Sequence, residues 1–173
     1  AAGATGARRA DAVRLRGLPR ATGAHLSDSG CVSNARGLGY TFPMNVGILL
    51  LTHPGAGAHY APLVERLLGH LPLPLDHFEV GFDSDQERAL VDASAALRHV
   101  DRGEGVLILT DLYGASPSNL AARLARIGTP ARRVSGLNLP MLLRVCNYPE
   151  QTLDELALTA VAGGKTGVVL DHA

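Results

Sequence analysis

The chain has 173 residues, enough for one domain with a sizeable hydrophobic core and short for two. Its 46% apolar and 18% charged content is ordinary for a globular protein, and no apolar run nears the roughly 20 residues needed to span a bilayer. The formal net charge of zero is unevenly spread: residues 1–43 hold six arginines against Asp11 and Asp28, for +4, and the remainder carries −4.

Cys31 and Cys146 lie far apart, which argues against a disulfide framework and makes a reducing cytoplasm the default compartment. Neither CxxC nor HExxH spacing occurs, so no zinc site is expected. Residues 1–43 are rich in Ala, Gly and Arg, with no sustained period of 2 or 3.6, and Met44 then opens an apolar strand. The folded domain is therefore expected over 44–173, with 1–43 a disordered extension or a non-native leader. That leader has no clear amphipathic helix and no dense basic run with interleaved aromatics. Neither a transit peptide nor a nucleic-acid-binding arm is expected there.

MNVGILLL (44–51) is a near-continuous apolar run, as for a parallel strand covered on both faces. It leads into THPGAG, which brings His53 to the strand end where the backbone bends. HYAPLVERLLGHL (59–71) places Leu63, Leu67 and Leu71 on one helical stripe, ended by Gly69 and Pro72. LDHFEVGF (75–82) predicts a second strand with Phe78, Val80 and Phe82 alternating. In 83–100, Ser84 followed by Glu87 forms a capping-box pattern for a helix ending near Gly103. GVLILT (105–110) is another apolar strand, followed by DLYGASPSN, where Pro117 suits the first turn of a helix closed by Gly128. ARRVSGLN (131–138) is a weaker strand, LPMLLRVCNY and TLDELALTAVAGG are two further helices, and GVVL (167–170) is a last short strand. This alternation predicts an α/β fold, a three-layer sandwich with a mostly parallel central sheet.

In such sheets chemistry collects at the carboxyl ends of the strands, near the point where strand order reverses. Strand 1 ends in Thr52-His53 and strand 3 in Thr110-Asp111. If the two are neighbours, Asp111 accepts the Nδ1 proton of His53, fixes the tautomer and leaves the Nε2 lone pair facing outward. The carboxylate also stabilises charge growing on the ring as Nε2 attacks an electrophile. Gly114 and Ala115 let the backbone approach a ligand, and the amides near Ser116 sit at a helix amino terminus that favours an anion. Gly55 and Gly57 offer a similar turn after His53. A histidine nucleophile, an orienting carboxylate and an anion nest together suit phosphoryl transfer. No P-loop and no GxGxxG follows any strand, so no nucleotide cofactor is expected.

Each part has a plainer reading. A strand-end histidine is commonly an exposed loop residue, and DLYGASP reads equally as a β-to-α connection with an N-capping serine. Their conjunction at two strand ends carries the site. His59, His70, His77, His99 and His172 have no comparable setting, and Cys146 reads as a small buried hydrophobe. A hydrolase built on Ser116 and His53 is disfavoured, because the serine is not in a GxSxG elbow.

From Met44 to about Leu170 the chain resembles the IIA domains of the mannose-type bacterial sugar phosphotransferase system. The matching stretches are the opening strand with Thr52-His53 and its glycine-bearing turn, TDLYGASPSN (110–119) and GLNLPML (136–142). The resemblance implies that His53 takes a phosphoryl group on Nε2 from the phosphocarrier protein HPr. It further implies that Asp111 orients the histidine, that Ser116 contacts phosphate, and that Tyr113 lies at the docking rim. Asn138 and Pro140 match an Asn-x-Pro element around the site. The family's loop resembles D-x-x-G-G-S-P, and Ala115 here replaces the second glycine. The implied partners are HPr, a IIB component and a second copy of the chain, whose carboxyl-terminal strand is exchanged between sheets. Contact with the membrane would be indirect, through a IIC/IID permease. No fused IIB domain is expected within these 173 residues, and a stand-alone regulatory IIA, or a phosphodonor subunit of a dihydroxyacetone kinase, are alternatives to sugar transport.

Overall fold

The computed structural model describes residues 45–171, and the expectation for residues 1–43 lies outside the described residues. The elements follow in the order β1 (Gly47–Thr52), α1 (Gly57–Leu68), β2 (Leu75–Glu79), α2 (Gln86–Val100), β3 (Val106–Thr110), α3 (Ser116–Leu124), β4 (Ala131–Ser135), α4 (Leu139–Cys146) and α5 (Leu153–Thr166). The strands pair in the order β2-β1-β3-β4, all parallel.

Every residue of β1 and β3 is buried. Ile48 and Leu50 of β1 and Leu107 and Leu109 of β3 share one cluster with Val64 of α1, Met141, Leu142 and Val145 of α4, and Leu156 of α5. Leu49, Leu51, Val106 and Ile108 instead pack with Ala93 and Leu97 of α2 and Leu120 and Leu124 of α3. Successive strand side chains point to opposite faces, so a central strand covered on both needs apolar residues at every position. That requirement produces the unbroken apolar runs, and the three layers are the expected α/β sandwich.

The chain steps from β1 to β2 on one side, then crosses back to β3 and β4 on the other side of β1. Right-handed crossovers therefore place α1 on one face and α2 and α3 on the opposite one. Strand order reverses between β1 and β3, whose carboxyl ends bound the crevice where such sheets hold ligands.

Several elements differ from expectation. β2 stops at Glu79, because Gly81 opens a turn in which both the N–H and the hydroxyl of Ser84 donate to its carbonyl, at 3.2 and 2.7 Å. Ser84 is thereby spent in the turn, and Asp85 caps α2 by accepting from the Arg88 N–H at 2.7 Å. The full capping box forms at Thr152 and Glu155, at the start of α5. In α1, Leu63 and Leu67 are 41% and 50% exposed; the core stripe is Val64 with Tyr60, Leu68 and Leu71 beside it. Residues 167–170 form no strand, and Val168, Val169 and Leu170 are exposed. This short apolar segment beyond α5 pairs with neither edge strand of its own chain.

Candidate active site

β1 and β3 run in register, with Leu51 opposite Thr110, so the chain leaves both strands at one level. His53 and Asp111 emerge there together. Nδ1 of His53 lies 2.8 Å from Oδ2 of Asp111, and the backbone N–H of His53 donates to the same oxygen at 2.7 Å. The second carboxylate oxygen, Oδ1, accepts from the N–H of Leu112 at 2.7 Å. An ionised carboxylate only accepts, so Nδ1 donates to it, and in the neutral ring this leaves the lone pair on Nε2. No described residue bonds Nε2, and the His53 side chain is partly exposed. The side chains of His53 and Asp111 are 26% and 22% exposed: sheltered enough to fix the pair, open enough to be reached. Partial burial pushes the Asp111 carboxyl up, but the His53 amide, the His53 ring and the Leu112 amide outweigh it and hold the group below 3.8.

Phe82 completes the histidine's surroundings. Its ring stacks on the imidazole at 5.6 Å between centroids and 24° between planes, although the residue is 80% exposed. Placed by sequence pattern in β2, it instead lies beyond the strand, which frees it to reach across the rim. With Ser116, Ser84 and Gln86 it lines a cavity of about 20 Å³, room for a single water. Phe82 thus links the histidine to the opening turn of α3.

That turn supplies amides. Gly114 has φ +82° with no atom within 4 Å of where a Cβ would stand, so it is required for its left-handed backbone rather than for space. Ala115 has φ −80° and ψ 174°, extended backbone that any residue adopts, so alanine takes the family's second glycine position without strain. The first helical bond of α3 runs from the Asn119 N–H to the Ala115 carbonyl at 3.0 Å. Pro117 has no N–H, and the amides of Ser116 and Ser118 bond no described residue. Two amide donors and the Ser116 hydroxyl therefore stand at this helix amino terminus.

The turn after His53 differs from expectation. Gly55 has φ +85°, but its N–H donates to Oε2 of Glu79 at 3.0 Å, and the N–H of Ala58 donates to Oε1 at 3.1 Å. The amides of Gly55 and then Ala58 hold the Glu79 carboxyl below 4.5. Gly55 thus faces an anion of its own chain. Glu79 and Phe82 are the two site residues that sequence reasoning missed. The pairing of Thr52 with Glu79 across β1 and β2 is what brings the glutamate there, and neither strand announces its neighbour.

The remaining sequence candidates sort simply. Asn138 caps α4 by accepting from the Met141 N–H at 2.9 Å and donates to Gly136 and Gly164 carbonyls, so the Asn-x-Pro element shapes the backbone behind the site. Leu112 and Tyr113 are 60% and 84% exposed at the rim. His77 and His99 flank Asp76 away from His53, and Cys146 is buried, its thiol pushed up to about 12 by desolvation. No helix among the described residues is long and apolar enough to cross a membrane.

A parallel sheet with a histidine-carboxylate pair at its switch point and a helix amino terminus beside it defines an α/β domain with its candidate site at the carboxyl ends of the central strands. Known proteins narrow this further. A family profile described as the PTS system fructose IIA component matches residues 47–160. The chain is 30% identical over 132 residues to the PTS system mannose-specific EIIAB component of Escherichia coli K12, covering 72% of this chain and 39% of that one. It thus spans about two fifths of the length of the curated relatives it matches. The mannose/sorbose-specific IIA subunit of the phosphotransferase system from Enterococcus faecalis shares the fold, with a TM-score of 0.65 at 24% identity over 75% of this chain and 97% of that one. A phosphotransferase system EIIA component from Streptococcus agalactiae superposes with a TM-score of 0.61 at 23% identity, covering 72% and 95%. The chain belongs to the phosphotransferase-system IIA family of the mannose type.

Proposed function

We propose that this domain is a phosphohistidine carrier that accepts a phosphoryl group from HPr on Nε2 of His53 and passes it to a IIB component. The observation that carries the reading is the 2.8 Å bond between Nδ1 and Asp111, which dedicates the opposite nitrogen to attack. As the Nε2–phosphorus bond forms, the bond from phosphorus to its donor breaks, and the positive charge left on the ring is balanced by Asp111. The amides of Ser116 and Ser118 and the Ser116 hydroxyl face the transferring oxygens, with Gly114 and Ala115 shaping the approach; such transfers depend on positioning and charge stabilisation. Phe82, Leu112 and Tyr113 form an exposed apolar rim on which a partner protein docks. The same phosphorylated rim, which gains about −1.5 to −2 charges, serves equally as a regulatory switch or as a phosphodonor to a kinase subunit.

The test is incubation with phosphoenolpyruvate, enzyme I and HPr. An acid-labile, base-stable adduct of one phosphate per chain is expected, and His53→Ala removes it; labelling of that variant at the wild-type rate overturns the assignment. Adding candidate IIB proteins then shows whether label leaves the chain.

The unpaired segment 167–170 supports a homodimer in which it adds to the sheet of a second copy. β4 is an edge strand, and beside it Val134, Gly136, Asn138, Val161 and Val168 line an open cleft of about 320 Å³. Replacing Val168, Val169 and Leu170 with serine is expected to convert the sedimenting species from dimer to monomer. A wild-type chain that sediments as a monomer rules the exchange out.

A further inference from the structure

Two helices begin at this rim, and they meet anions differently. At α3 the amides of Ser116 and Ser118 bond no described residue. At α1 the corresponding position is filled from within. Glu79 ends β2 opposite Thr52, the last residue of β1, so its side chain stands beside the turn that carries His53. Its two oxygens take the N–H groups of Gly55 and Ala58 at 3.0 and 3.1 Å, one before and one inside the first turn of α1. The backbone is further tied by the Val80 N–H donating to the Thr52 carbonyl at 2.8 Å. Gly57 fits closely here: a Cβ would come 2.9 Å from Thr52 Oγ1 and 3.7 Å from Glu79 Oε1. The facing charged groups are His77, two residues earlier on the same face of β2, and the His53–Asp111 pair across the turn.

We infer that Glu79 is a positioning residue: an internal anion that clamps the turn bearing His53 and keeps the α1 amides from the phosphoryl group, leaving α3 as its cradle. A carboxylate accepting two backbone N–H bonds fixes both ends of a four-residue turn, so the imidazole keeps its orientation when Asp111 lets the charge grow on it. The same negative charge repels a phosphoryl group from the α1 side. This rests on the phosphocarrier reading for its consequence, but the clamp itself is measurable without HPr.

Two readouts test it on the full chain. First, amide hydrogen exchange: Gly55 and Ala58 are expected to exchange at least ten-fold faster in Glu79→Ala, and to an intermediate degree in Glu79→Gln, whose amide keeps one acceptor. Unchanged exchange in both variants overturns the clamp. Second, single-turnover labelling of His53 from phosphorylated HPr: Glu79→Ala is expected to slow the saturated transfer step about ten-fold, while the HPr concentration giving half-maximal rate stays within two-fold. A merely structural role would instead leave that step unchanged in the fraction of chain still folded, which circular dichroism reports. Transfer at the wild-type rate overturns the positioning role. If the wild-type chain takes no label, the phosphocarrier reading fails, and the exchange result alone still decides the clamp.

Discussion

Two strand-to-helix turns leave this sheet side by side and share a plan. Each follows a buried threonine, Thr52 or Thr110, with a chemistry-bearing residue, His53 or Asp111. Each passes through a left-handed glycine, Gly55 at φ +85° or Gly114 at φ +82°, and each opens a helix. Their difference comes from the neighbouring strand. β2 brings Glu79 to the first turn, where it occupies two amides. β4 brings Ser135 to the second, where it bonds the Thr110 hydroxyl at 2.7 Å beneath the rim and leaves the α3 amides untouched. Anion capacity at a helix start is therefore decided by what the adjacent strand supplies, as much as by the turn's own sequence.

On the proposed phosphocarrier reading the second turn is the phosphoryl-binding side and the first the nucleophile's side, and substitutions should divide accordingly. The largest effect short of removing His53 is expected from Asp111→Asn, which keeps an oxygen near the ring but supplies no charge. Transfer to His53 should slow on the order of 10²-fold. An effect below two-fold would detach the carboxylate from the chemistry. Ser116→Ala removes a hydroxyl but keeps the amides of the second turn, so the transfer rate should fall roughly ten-fold, less than the loss of a buried oxyanion donor. A rate unchanged in that variant would shift the cradle to the backbone alone.

The smallest expected effect is on acid stability, and it sharpens the parallel between the two carboxylates. Asp111 and Glu79 are both held below their ordinary 3.8 and 4.5 in the folded chain. The unfolded chain then binds more protons, so each contributes stability that is present above its unfolded pKa and lost as pH falls through the lower folded value. Melting temperature measured from pH 7 down to about pH 2.5 should fall less steeply in Asp111→Asn and in Glu79→Gln than in wild type. Equal slopes would mean that the hydrogen bonds around these groups do not persist in solution.

Much of this was legible in the chain. Runs such as ILLL and VLIL admit few arrangements other than a doubly covered parallel strand, and helix signals between them fixed the layer order. His53 and Asp111 were readable because each follows such a run directly. The GVVL segment forms no strand in the single chain, because apolar composition alone is not enough and a strand also needs a neighbour; the proposed second copy supplies one. Leu63 and Leu67 misled because the helix phase is set by its docking on β1, and that selects Val64.

Composition and local periodicity, then, determined the architecture and the two residues at the strand ends, since burial on both faces and helix punctuation are written in consecutive positions. Only the tertiary structure decided the rest. Glu79 lies 26 residues from His53 and Phe82 lies 29, and no local pattern relates them. They meet because strand order places β2 against β1, and the register of that pairing selects which side chain arrives at the rim.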